Sequence, residues 1–147
     1  MRIYLDNCCY NRPYDDQSQL KIHIETQAKL DIQDRIRDGR LELATSYVQV
    51  IENAANPFDT KRKDIQSFLD TYAKVFVSDK QDFVVKELAS DIMKNGIHLM
   101  DACHIACAIL AHCDVFLSTD KRVLKFTATS VRIMNPATFL IEEDDSE

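Results

Sequence analysis

The feature that most limits the folds open to this chain is its alternation of short apolar runs with helical stretches. Arg2 to Leu5, Leu41 to Thr45, Lys74 to Val77, Val115 to Leu117 and Ser130 to Met134 read as strands. Between them lie segments with helical signals. From Gln17 to Asp38, Leu20, Ile24, Ala28, Ile32 and Ile36 recur every fourth residue, with charged residues expected on the opposite side. Ser46 can cap a helix over Tyr47 to Ala55, ended by Asn56-Pro57; Asp59 can cap one to about Ala73, and Asp79 one through Lys94. Asp101 to about His112 is nearly all apolar, as a helix buried on most sides would be. Asn135-Pro136 opens a last short helix to about Leu140. Both glycines, Gly39 and Gly96, fall just past predicted helix ends. Strands alternating with helices, in short buried runs, indicate a mainly parallel sheet covered on both faces. Asn7 to Asp16 reads as a polar loop.

A chain of 147 residues, without repeats or linkers, fits one domain over residues 1–141. Residues 142–147 carry five acids and read as a frayed, disordered tail. That tail explains most of the net charge of −6, since the body before it holds 18 basic and 19 acidic residues. A nucleic-acid partner is therefore compatible with the low isoelectric point. No apolar run approaches the roughly 18 residues of a membrane span, and no leader pattern opens the chain, so a cytoplasmic location is expected. The five cysteines include no C-x-x-C pair, which argues against a disulfide framework. Cys103 and Cys107, at helical spacing among Ala and Ile, read as small hydrophobes, not as zinc ligands with His98, His104 or His112.

Four acids stand out. Asp6 and Asp120 follow the first and fourth strands, Asp101 opens the most apolar helix, and Glu52 sits beside the uncharged run Tyr47 to Ile51. Taken singly, each has a plain structural reading as a cap, a turn residue or a solvated helix position. Together they fall at the carboxyl edge of one sheet, where open α/β folds bind ligands. Carboxylates crowded there repel one another and call for a cation, and hard oxygen donors suit Mg²⁺ or Mn²⁺.

The ordered set Tyr4-Leu5-Asp6, Ser46 followed by Glu52, Asp101-Ala102 opening an Ala-rich helix, and Ser118-Thr119-Asp120 after a short strand resembles PIN-domain proteins of the VapC-like toxin group. The resemblance spans almost the whole chain. It implies a three-layer α/β/α sandwich around a parallel, roughly five-stranded sheet, and metal-dependent cleavage of RNA. It makes Asp6, Glu52, Asp101 and Asp120 the catalytic and metal-binding quartet, with Ser118 a polar support beside Asp120; Asn7 and Asn11, which read first as loop caps, are the residues that could add neutral ligands or contact substrate. It also implies a small antitoxin partner and makes a homodimer plausible. Arg12, Lys121 and Arg122 are the basic residues best placed to hold phosphate, with Lys125 near them and Lys61-Arg62-Lys63 a second cluster, better read as a solvated helix start. Basic and aromatic residues do not interleave along the sequence, so base recognition is not indicated. Two other functions compete. One is a non-catalytic PIN-like binding or regulatory module, motivated by the acidic tail and by Lys121-Arg122-Val123 where that family often carries a further acid. The other is phosphoryl transfer through Asp6 as nucleophile, which Cys8, in place of an acid two residues on, disfavours.

Overall fold

The computed structural model describes residues 1–128 and 130–146. Strand β1 (Arg2–Leu5) lies at the centre of the sheet, followed in the chain by helix α1 (Asn7–Asn11), a 3-10 turn (Arg12–Tyr14) and α2 (Leu20–Arg37). Next come β2 (Glu42–Ser46), α3 (Tyr47–Ala54), α4 (Asp59–Tyr72), β3 (Ala73–Val77), α5 (Asp82–Met93) and α6 (Leu99–Leu110). The chain ends with β4 (Val115–Leu117), α7 (Lys121–Leu124), β5 (Arg132–Met134) and α8 (Pro136–Ser146). The strand order is β3-β2-β1-β4-β5, with every neighbouring pair parallel. Among the described residues, no helix is long and apolar enough to cross a membrane.

The two-residue period of the strands divides the core. Ile3, Leu5, Leu43, Val115 and Leu117 face one way and pack with Ile32 and Ile36 of α2, Ile65, Phe68 and Leu69 of α4, and Phe139 of α8. Tyr4, Ala44 and Phe116 face the other way, onto Val85 and Ala89 of α5 and the Ala- and Cys-rich face of α6. The result is the α/β/α sandwich expected. Cys103 and Cys107 are buried and all five cysteines are free; burial pushes the Cys107 thiol up to about 12. Gly39 and Gly96 sit at φ +79° and +85°, left-handed positions at helix ends where a Cβ would be strained.

Four departures from the sequence reading have physical causes. Residues 7–14 are helical, not loop: Asp6 caps α1 through Asn7 N, while Cys9 and Tyr10 turn into the core. On α2, Leu20 and Ile24 are exposed, while Glu25, Lys29 and Gln33 are buried with Ala28, Ile32 and Ile36. Glu25 is held there by Arg12 (2.9 Å) and Asn135 (2.5 Å). Phe76, expected within a buried run, is 55% exposed because β3 is an edge strand. The final helix continues past Leu140 through residues 142–145, because Glu142 pairs with Arg132 and Asp144 with Arg35. Glu147 lies outside the described residues.

Candidate functional site

The parallel register brings the ends of β1 and β4 side by side. Asp6 N donates to the Leu117 carbonyl at 2.9 Å, so each strand delivers its next residues to the same edge. Asp6 is buried. Its Oδ2 accepts from Ser118 Oγ at 2.9 Å and from the Cys8 thiol at 3.5 Å, and its Oδ1 accepts from Asn7 N at 2.8 Å. Burial raises the pKa of this carboxyl and Glu52 raises it further, while His104 and the Ser118 hydroxyl oppose the rise. The Ser118 hydroxyl thus bonds Asp6, and it also accepts from Asp120 N at 3.1 Å. Asp120 caps α7, accepting from Arg122 N at 2.8 Å.

Asp101 is the third residue of α6, in its first turn. Its pKa is pushed up to about 6, chiefly by burial and then by the charges of Asp6 and Asp120. Those two charges act on it from the ends of β1 and β4. Asp101→Asn should therefore stabilise the metal-free protein at pH 7 by about 1 kcal/mol, a value reduced for the carboxyl's partial exposure. The sign follows from linkage: as pH rises from about 4 to 6, the unfolded carboxyl ionises first, so stability is lost across that window. Chemical denaturation at pH 4 and pH 7 checks this; an equal advantage at both values would refute the electrostatic origin.

Glu52 reaches the same region from the last turn of α3 but is committed to His104, Oε2 to Nε2 at 2.6 Å. His104 is fully buried, and its Nδ1 meets Tyr4 Oη at 2.7 Å, which in turn meets Ser46 Oγ at 2.7 Å. Burial opposes a charge on this imidazole, but the Glu52 hydrogen bond, Asp6 and Asp101 outweigh it and raise the pKa. The chain Ser46–Tyr4–His104–Glu52 has no analogue in the sequence reading. Its only signal there is the spacing Asp101-x-x-His104, which places both residues on one face of α6.

The remaining candidates separate. The Asn7 side-chain oxygen is buried without a hydrogen-bond partner among the described residues. Arg12 is held by Asp15 (2.7 Å) and Glu25 (2.9 Å), so its charge is neutralised within the protein. Lys121 and Arg122 are exposed beside Asp120, and Arg122 Nη1 meets His98 Nε2 at 2.8 Å. Arg62 and Lys63 pair with Asp59. Lys61 instead lies 5.5 Å from the Tyr14 ring centre and 5.7 Å from that of Phe58, a cation over two aromatic faces that the sequence does not bring together. Among the described residues, no group of three or more His, Cys, Asp or Glu side chains is arranged to hold a metal ion as it stands. The donor chemistry nevertheless fits a hard cation: Asp6 and Asp120 act on the Asp101 carboxyl and Glu52 acts on Asp6, so four oxygen donors face one another electrostatically.

No protein-family model and no curated protein matches this sequence. The fold does match solved structures. A chain of VapBC2 from Rickettsia felis, in a complex bound to a DNA fragment from their promoter, aligns with a TM-score of 0.56 at 13% identity, covering 92% of this chain and 98% of that one. A chain of FitAcB from Neisseria gonorrhoeae aligns with a TM-score of 0.56 at 18% identity, covering 91% and 97%. At these identities the likeness is one of fold: the three-layer α/β/α arrangement is shared over nearly the full length of each chain.

Proposed function

We propose that this protein is a Mg²⁺- or Mn²⁺-dependent endoribonuclease and the toxin of a toxin–antitoxin pair. The observation that carries the reading is the meeting of Asp6 and the Ser118–Asp120 turn at the carboxyl ends of β1 and β4, joined through the Ser118 hydroxyl, with Glu52 held by His104 one turn along α6 from Asp101. Asp6, Asp101 and Asp120 would hold the ion. Bound there, it would lower the pKa of a water and neutralise charge on a phosphodiester. Ser118 fixes the Asp6 carboxylate, and His104 fixes Glu52. Lys121 would meet the RNA backbone, which positions a strand without reading it. The resemblance read from the motifs, and the names VapBC2 and FitAcB of the structural neighbours, support an antitoxin partner.

The test is RNA cleavage by the purified, partner-free protein with Mg²⁺ or Mn²⁺ against EDTA, with Asp101→Asn alongside. Metal-dependent cleavage lost in the variant is the expected result; a variant as fast as the parent would sink the reading. The Glu52–His104 pair favours one second reading, a binding module without catalysis, because it occupies one of the four carboxylates. That reading predicts no calorimetric signal with millimolar Mn²⁺.

A further inference from the structure

A cleft of about 270 Å³ opens directly beside the carboxylates, sharing Glu52 and Asn7 with them. Its other walls bring together Asn11 of α1, Asn53 of α3, and Asn56, Phe58 and Lys61 around the start of α4. Four asparagines thus line one opening. Asn53 Nδ2 is committed to the Arg62 carbonyl at 2.9 Å, and Asn56 Oδ1 to Phe58 N at 3.1 Å. These bonds, with Arg62 Nη1 on the Asn56 carbonyl at 3.0 Å, hold the 56–58 loop in place. The Asn7 side-chain oxygen is buried and has no hydrogen-bond partner among the described residues. An unpaired buried acceptor is costly unless something donates to it. On the rim stands Phe58, 66% exposed, with Lys61 above its ring.

From this arrangement we infer that the cleft is a subsite for one unpaired nucleobase of a single-stranded RNA, next to the phosphodiester that reaches the aspartates. The inference rests on the ribonuclease reading and gives it a substrate class. Amides offer donors and acceptors in the plane that a base edge needs, and Phe58 offers a face on which any base can stack. The lining holds one cation and one acid, which suits a neutral polar group better than a phosphate. The volume lies below the roughly 300–1,000 Å³ of drug-sized pockets, as a site for a single base should. Lys61, at the mouth, is placed for the backbone. A double-stranded RNA keeps its bases stacked and cannot supply the ligand.

The test uses Asp101→Asn protein without metal, so that cleavage does not interfere. Binding of an eight-nucleotide RNA is compared with that of an abasic ribose-phosphate chain of the same length and charge. RNA should bind about tenfold more tightly, the scale of one base on an aromatic ring. Adding Phe58→Ala should bring the ratio near one and leave the abasic chain unaffected. Adding Asn11→Ala should lower the ratio in the same direction. Adding Lys61→Ala should weaken both ligands about equally and flatten the salt dependence. A ratio near one in the parent, a ratio that Phe58→Ala does not move, or no binding of either chain overturns the subsite. Cleavage by the wild type is measured separately. Cleavage with no base-dependent ratio would remove the subsite alone. A base-dependent ratio without cleavage would remove the nuclease reading and leave the subsite standing.

Discussion

Asp6→Asn should lower kcat/KM for metal-dependent RNA cleavage by on the order of a thousandfold or more, with little change in stability. The first half follows from charge. Asp6 is the buried carboxylate nearest the junction of β1 and β4, and an amide there removes a full negative charge from the donor set. The second half follows from hydrogen bonding. An Asn oxygen can still cap Asn7 N, and the Ser118 hydroxyl can rotate to accept from the new amide. A stability change within about 1 kcal/mol is expected. Ser118→Ala gives the scale for comparison: it removes one support of Asp6 and should cost only about 10–100-fold, as losses next to a metal ligand do. Steady-state kinetics on one RNA substrate decides the order. If Ser118→Ala costs more than Asp6→Asn, the assignment of Asp6 as a ligand is wrong.

Lys29→Met should stabilise the protein at pH 7 by about 2 kcal/mol, the largest effect expected away from the carboxylates. Lys29 is 5% exposed on α2, with its ammonium 5.5 Å from the Tyr10 ring centre and no carboxylate partner among the described residues. Burial, with repulsion from Arg37, lowers its pKa to about 8. Below pH 8 both the folded and unfolded forms are charged and the full penalty, about 3 kcal/mol before the ring contact is credited, is present. Between pH 8 and about 10.5 the folded amine is neutral while the unfolded one still holds its proton, so stability rises with pH. The variant's advantage should therefore fade across that window. Cys107 and Cys113, pushed up to about 12 by burial, act in the opposite direction above pH 9, because the unfolded thiols ionise first. Only the difference between wild type and variant isolates Lys29. Urea denaturation of both proteins at pH 7 and pH 10 measures it, and a variant less stable at pH 7 would show that the buried charge is compensated.

Much of the frame was legible because it rests on short-range rules. β1 and β4 begin and end close to where the apolar runs do, and the two glycines mark helix ends through their backbone conformation. The acids at the sheet edge were legible for the same reason, since strand ends can be read from the sequence and a parallel sheet aligns them. What was hidden depends on pairs far apart in sequence. Lys29 and Glu25 follow no rule of an amphipathic helix, because the groups that receive them, Tyr10 and Arg12, lie in a segment that reads as loop. The acidic end of the chain reads as solvated until Arg132 and Arg35 are found beside it. His104 reads as one more residue of a buried helix until Tyr4 and Glu52 take its two nitrogens. The same holds for Phe58, Lys61 and Tyr14, which form an aromatic–cation cluster only once α4 meets the turn after α1.

The strand order has a consequence for the chain as it is made. β1 leaves the ribosome well before one of its two neighbours in the sheet, β4, which follows more than a hundred residues later, as the 112-residue separation of Asp6 and Ser118 shows. At synthesis rates of about 5–20 residues per second, that delay is on the order of ten seconds. During it, one edge of the central strand is open and Asp6 stands apart from Asp120. A nascent chain therefore carries no assembled carboxylate cluster until β4 has emerged and paired with β1.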